Sequence, residues 1–496
     1  MRLLVFNTIA TILLLVMNYE EAYASGTIRI GLESRYLNAS TVSVSGPVYV
    51  EGVRLNGYIE IRVGTYSETH IQLFHNGNLF FANRHTPFII TPVDENGIYI
   101  RGRRYRGIIE IGRQRPGHGI TPVNIVNFED YLKSVVPSEM PASWHMQALM
   151  SQAVAARTFA MYRRGSHNHL GYELCDTVFS QVYNGIGFEH PRTTEAVLAT
   201  RGRIITFNGA PILAVYSSST GGFTESSEYV WLEAVPYLRA VPDLYETGGL
   251  IWDRAFTREQ IQQATPVAAN IGQITAIGIN GRTPGGRVLA LNIYGEYGTH
   301  TIMREQIRSF FAPIGGSLPG RMFQFDNPIG PPQGSITVPP ANEQPPQTPP
   351  ENLPPNEQLP PSHRQVFAVG QTGNVYEMPE TFYAIGTAGV HPVNSGGGGS
   401  QNLSNTNVSQ TNGTIFGPFQ QNHNSTFQNT AAYTALQIQT NQRHEFSNGP
   451  LIIHGRGFGH GVGMSQFGAY SMARAGHNYM QILQHYFTGT IVTTMN

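Results

Sequence analysis

Glu139 stands in Val135-Val-Pro-Ser-Glu-Met-Pro141, with Trp144 close behind. A lone glutamate is ordinarily a solvated surface charge. Here Val135, Val136, Met140 and Trp144 supply apolar neighbours, and Pro137 and Pro141 restrict the backbone on both sides. Desolvation by such neighbours raises a carboxyl pKa and keeps a proton available for acid catalysis. A helix expected to begin near Ser143 opposes this, because its positive end favours the carboxylate. The residue types leave that balance open.

Three other groupings carry possible chemistry. His167, His169 and Cys175 lie together in the sequence. One H-x-H pair plus one cysteine falls short of the four ligands of a structural zinc site, and a polar loop of solvated histidines reads equally well. Tyr216-Ser-Ser-Ser-Thr-Gly-Gly222 offers hydroxyls, but no G-x-S-x-G elbow surrounds them, so these serines read as hydrogen-bonding or structural. Gly455-Arg-Gly-Phe-Gly-His-Gly-Val-Gly463 follows a strand-like Leu451-Ile-Ile-His454. It is not a dinucleotide fingerprint: the third glycine of G-x-G-x-x-G would fall on His460, Val462, Met464 or Gln466. Its alternating glycines suit a tight turn, or a backbone lying close to a ligand or another strand.

The elements that must position these groups can be read from periodicity. From Ser25 to about Ile120, short alternating runs such as Thr27–Gly31, Tyr58–Arg62 and Ile108–Ile111 predict half-buried antiparallel strands. A helix is expected from about Ser143, its N-cap, to Arg163, with Leu149, Ala153, Ala156 and Ala160 as one apolar stripe. Strands return from Val197 to about Gln324, with Asn208-Gly209 as a hairpin signal. Proline pairs from Pro331 to Pro361, then Gly, Ser and Asn tracts, predict a flexible segment with one small hairpin between Gln365 and Tyr383. The final stretch is compact again, with helices over Met464–Ala475 and Asn478–Phe487.

Composition narrows the class. The chain has 496 residues and a formal net charge of -1, so no basic excess supports a nucleic-acid partner. Arg2, the apolar run Leu3–Met17 and Ala22-Tyr-Ala24 follow the order of a secretory signal. The run is shorter than the ~20 residues of a spanning helix, so cleavage and no transmembrane span thereafter are expected. With a single cysteine, Cys175, an exported chain has no internal disulfide.

Several long segments, in order, resemble the stage II sporulation protein D family, including its amidase-enhancer relatives. They are Asn127–Trp144, Leu149–Phe159, Cys175–Tyr183, Tyr216–Thr224 and Gly455–Ala469. The resemblance covers roughly Thr27–Gln324 and Leu451–Thr490. It implies a lytic transglycosylase that cleaves the bond between N-acetylmuramic acid and N-acetylglucosamine in peptidoglycan glycan strands already stripped of peptide. The family's catalytic glutamate falls on Glu139. The other matched motifs suggest groove-lining positions at Gln152, Arg157, Gln181, Tyr183, Ser218, Gly221, Gly222, His460, Ser465 and Gln466. Some relatives hold zinc through the cysteine of the Cys-Asp-Thr segment and a histidine just after it. Here Phe179 and Ser180 stand where that histidine is expected, so neither metal nor cofactor is expected.

The expected fold is α+β, mostly antiparallel β elements around a buried helix, with the family domain interrupted by a low-complexity insertion. The expected organisation is a signal peptide (1–24), the first part of the family domain (25–327, β-rich over 25–120), a Pro/Gly/Ser/Asn-rich disordered insertion (328–449) and the domain's C-terminal part (450–496). The His460 segment is expected to return to the domain of Glu139. Export to the periplasm or cell wall follows from the signal. Two alternatives stand beside the enzyme: a non-catalytic peptidoglycan binder that recruits or stimulates an N-acetylmuramoyl-L-alanine amidase, and a wall-anchored structural protein.

Overall fold

The computed structural model describes residues 26–64, 70–113, 118–246, 250–330 and 439–495, with the backbone of four short strands between 366 and 393. The signal peptide expected over 1–24 and most of the proline-rich segment lie outside these residues. The fold is α+β with mostly antiparallel sheets, as expected. The chain divides into two compact units, Met1–Tyr216 with Ala469–Asn496, and Ser217–Gly468.

Alternation of apolar and polar residues builds the β-rich part of the first unit. Val42 and Val44, Ile59 and Ile61, and Ile71 and Leu73 are buried, while the residues between them face outward. Thr41–Ser45, Tyr58–Val63 and Ile71–His75 pair in consecutive antiparallel register within a six-stranded sheet. A seven-stranded sheet contains Thr27–Gly31 paired antiparallel with Val123–Asn127 and parallel with Leu174–Cys175. Both sheets contribute to one core, which continues onto the helices through Tyr131, Leu132, Val135, Val136, Ala153 and Ala156.

The long helix runs Met146–Arg163, and its N-cap is His145 rather than Ser143. The His145 Nδ1 accepts the Gln147 N–H at 3.3 Å, supplying the cap that a serine hydroxyl was expected to give. A single apolar stripe was expected. Instead Ala148, Leu149, Ser151 to Thr158 and Ala160 are all buried, because neighbours close on the helix from several sides. Phe128–Glu139, Pro191–Ala199, Arg203–Phe207 and Tyr479–Tyr486 pack against it. Small alanine and serine side chains permit that close approach. The C-terminal chain completes this unit, with Ile491–Thr494 pairing antiparallel to Arg203–Phe207.

The second unit has its own core, including Trp252, Phe256, Ile277, Leu291, Phe311, Phe323 and Ile453. Leu451–Arg456 lies between Ile251–Phe256 and Met322–Phe325 in a three-stranded antiparallel sheet. Asn441–Glu445 pairs with Ile274–Arg282, so ordered pairing resumes before residue 450. Between 366 and 393 two hairpins are present, Val366–Val369 with Val375–Met378 and Phe382–Gly386 with Gly389–Val393, where one was expected. Among the described residues no helix is long and apolar enough to cross a membrane.

Candidate active site

Glu139 is the last residue of a helix, Phe128–Glu139, and not of a free loop. Asn127 starts that helix: its Oδ1 accepts the N–H groups of Glu129 and Asp130 at 3.0 and 3.4 Å. Glu129 and Asp130 in the first turn also suit the positive end of the helix. Pro137 occupies the last turn, Met140 takes an extended conformation, and Pro141 follows. The helix therefore ends at Glu139, whose carboxyl sits beside the negative end of its own helix.

A strap formed by Gln181 to Asn184 runs along this final turn. The Val182 N–H donates to Glu139 Oε1 at 3.1 Å. The Asn184 N–H donates to Ser134 Oγ at 3.1 Å, and the Asn184 amide to Ser138 Oγ at 3.1 Å. The strap is held in turn by the Tyr183 hydroxyl, which donates to Asn124 Oδ1 at 2.8 Å. The Tyr216 hydroxyl also hydrogen-bonds the Glu139 side chain.

Burial decides the electrostatics. Glu139 keeps partial solvent access, while Val135, Val136, Met140 and Trp144 around it are buried. Desolvation is the largest influence on its carboxyl and pushes the pKa up to about 7, against the hydrogen bonds from Val182 and Tyr216. No arginine, lysine or second carboxylate contributes to that shift. A backbone N–H can only donate, so Oε1 accepts from Val182. The result is one carboxyl, partly open to solvent, balanced between acid and base near neutral pH.

The motif residues divide between the units. Gln152, Arg157, Gln181 and Tyr183 lie with Glu139 in the first, and all four are buried. Arg157 forms a bidentate pair with Glu129 at 2.9 and 2.7 Å, and also donates to the carbonyls of Val197 and Arg203. That full set of partners gives it a structural task. Ser218, Gly221, Gly222, His460, Ser465 and Gln466 lie in the second unit. The His460 segment was expected in the domain of Glu139. Pairing of Leu451–Arg456 with Ile251–Phe256 and Met322–Phe325 carries it into the second unit instead.

Within that unit, Glu246 organises two of the motifs, and sequence reasoning missed it. Its buried carboxylate accepts Thr220 N–H at 2.8 Å, Thr220 Oγ1 at 2.7 Å, Gly221 N–H at 3.2 Å and Ser465 Oγ at 2.7 Å, with Ser219 Oγ a further partner. Glu246 stands in Asp243-Leu-Tyr-Glu246, which carries no motif to announce it. His460 Nδ1 accepts the Val462 N–H at 2.9 Å, and its ring meets Trp231 edge-on at 5.0 Å. Desolvation drives its pKa down to about 4, so the imidazole is neutral at pH 7. Of the ten motif positions, Ser218 and His460 keep partial exposure.

Cys175 is buried, and burial raises its thiol pKa. Ser180, in the stretch where a histidine was expected, places its hydroxyl 3.4 Å from Sγ and accepts the Cys175 N–H at 3.1 Å. Glu33, His167 and Cys175 bring ligand atoms within 4.8 Å of one another. The trio takes one histidine of the H-x-H pair and adds a glutamate far away in sequence. It supplies three donors, one short of a closed tetrahedral site, and Glu33 already accepts the Tyr172 hydroxyl. The set does not complete a structural zinc site.

Residues 116–207, which hold Glu139, the long helix and Cys175, match the family model described as Stage II sporulation protein. The chain is 27% identical over 403 residues to the amidase enhancer of Bacillus subtilis (strain 168), covering 80% of this chain and 45% of that protein. It is 33% identical over 203 residues to stage II sporulation protein D of the same organism, covering 37% of this chain and 59% of that protein. Stage II sporulation protein D of Bacillus amyloliquefaciens is 32% identical over 206 residues, covering 37% of this chain and 58% of that protein. The chain thus spans about half the length of these relatives, and the family model covers the first three of the ordered motifs, Asn127–Trp144, Leu149–Phe159 and Cys175–Tyr183.

Proposed function

We propose that the chain is an exported lytic transglycosylase that cleaves the MurNAc–GlcNAc bond of denuded peptidoglycan strands, with Glu139 as its single acid/base. One observation carries this reading: a lone, partly accessible carboxyl whose pKa is pushed up to about 7, fixed by the Val182 N–H and the Tyr216 hydroxyl. Ordinary glycoside hydrolysis needs two carboxylates. One suffices when the nucleophile belongs to the substrate.

In the first step the protonated Glu139 carboxyl gives its proton to the glycosidic oxygen, and the bond from C1 of the muramic acid to that oxygen breaks. The electron pair leaves with the N-acetylglucosamine oxygen. In the second, the Glu139 carboxylate takes the proton of the C6 hydroxyl as that oxygen bonds to C1. A 1,6-anhydro ring closes and Glu139 is again protonated. The C6 hydroxyl is already tethered to the reacting sugar, so proximity replaces the second carboxylate.

The similarity to an amidase enhancer favours a second reading, a non-catalytic wall binder that stimulates an amidase. Incubation of purified protein with denuded strands, followed by mass spectrometry, separates the two. The enzyme releases anhydro-muramyl products, and Glu139→Gln does not. Pelleting with sacculi without products, indifferent to that substitution, would establish the binder.

A further inference from the structure

We propose that Tyr216 is the positioning residue for Glu139, and that Gln181 sets the direction in which the Tyr216 hydroxyl proton points. The inference rests on the reading of Glu139 as the acid/base and adds to it a hydrogen-bonded relay. Tyr131, about two turns before Glu139 on the same helix, donates its hydroxyl proton to Gln181 Oε1 at 3.2 Å. Gln181 Nε2 donates to the Tyr216 hydroxyl oxygen at 3.1 Å. The Tyr216 hydroxyl in turn bonds the Glu139 side chain.

Donor and acceptor roles fix the sense of this chain. An amide has distinct ends, and in this structure the Tyr131 hydroxyl donates to the oxygen end of Gln181. The NH2 end must then face Tyr216, where it occupies a lone pair on the hydroxyl oxygen. The Tyr216 proton is left to point at Glu139. The ionised carboxyl gains a donor, whereas the protonated one does not need it.

Among the described residues, the influences on the Glu139 carboxyl are desolvation, the Val182 N–H and the Tyr216 hydroxyl. The titratable groups facing Glu139 are Tyr131 on its own helix and Tyr216, and burial raises both phenols well above their usual range, so both stay neutral. The strap contributes the Val182 N–H and the neutral Gln181 amide. Cys175, Asp176 and Tyr183 bear on Tyr131 and not on Glu139. Tyr216 thus offsets part of the desolvation, holding the carboxyl where it can both release and regain a proton. Gln181 is buried with both ends of its amide engaged, which makes it part of this device and not a sugar contact.

The test titrates Glu139 directly in the full chain, by carboxyl ¹³C NMR on glutamate-labelled protein with Glu139→Gln assigning the resonance. Tyr216→Phe should raise the Glu139 midpoint by about one pH unit, and Gln181→Met by less in the same direction. The falling limb of the pH–rate profile should move by the same amount, with kcat reduced and KM little changed. A folded Tyr216→Phe protein whose Glu139 titrates as in the wild type would overturn the proposal. If Tyr216→Phe does not fold, Gln181→Met decides, and an unmoved midpoint overturns it. Midpoint shifts in the variants, together with a wild-type protein that releases no anhydro product, would sustain the relay while removing the transglycosylase reading.

Discussion

The Val182 N–H and Glu139 Oε1, 3.1 Å apart, join the end of a helix to a strap more than forty residues further along the chain. The bond does two things. It fixes one carboxyl oxygen as an acceptor, and it ties the end of the helix to the strap. Burial of the surrounding side chains then decides how tightly that proton is held.

Activity should follow the protonated form of Glu139. Release of anhydro product, measured as kcat/KM on denuded strands from pH 5 to 9, is expected to fall as pH rises through about 7. Glu139→Gln should reduce it by roughly 10²–10⁴-fold at every pH, the usual contribution of a general acid. A profile with no break in this range would contradict the assignment.

The same carboxyl links stability to pH. Its folded pKa, about 7, exceeds the ordinary 4.5, so its favourable contribution is complete below about 4.5 and is lost as pH rises to about 7. Glu139→Gln should therefore be more stable than wild type at pH 8, by about 1–3 kcal/mol, and should show little such gain at pH 4. Urea unfolding at the two pH values measures the difference. An equal effect at both would show that ionisation is not its cause.

Arg157 is expected to matter to the fold and not to sugar binding. Its side chain is fully buried against Glu129. Arg157→Met leaves the Glu129 carboxylate without its partner and should cost about 3–5 kcal/mol in chemical denaturation. Glycan affinity of the protein that remains folded should be unchanged. Weakened affinity at full stability would restore Arg157 as a ligand-contacting residue.

Gly461 tests the glycine-rich loop. Its φ of +76° disfavours any side chain, and an added Cβ would lie 1.9 Å from Arg287 Nη2. Gly461→Ala should lower stability by about 1–3 kcal/mol through backbone strain alone, with displacement of Arg287 adding to it. Thermal melts read this, and an unaltered melting temperature would mean that the loop is free to rearrange.

The β-rich opening was legible because burial alternates along strands such as Thr41–Ser45 and Tyr58–Val63, and period-two patterning is a local property. The long helix was legible from local spacing too, to within three residues at its start, although its burial is not the single stripe expected. The cap was missed because a histidine nitrogen did the work expected of a serine hydroxyl. The apolar neighbours of Glu139 also pointed to the desolvation that acts on its carboxyl.

What the linear pattern could not decide depended on groups distant in sequence. Whether Glu139 met the start of a following helix or the end of its own was set by where Pro137, Met140 and Pro141 stopped the chain. Strand pairing, not spacing, assigned the His460 loop to the second unit, where Ser465 and the Ser219-Thr-Gly221 segment meet at Glu246, which no motif marks. Sequence alone determined that a carboxyl in an apolar, proline-bounded turn was present. Tertiary structure decided its pKa and its partners, because desolvation and hydrogen bonding sum over neighbours in space: Val182, Gln181 and Tyr216 reach Glu139 only once the chain has folded.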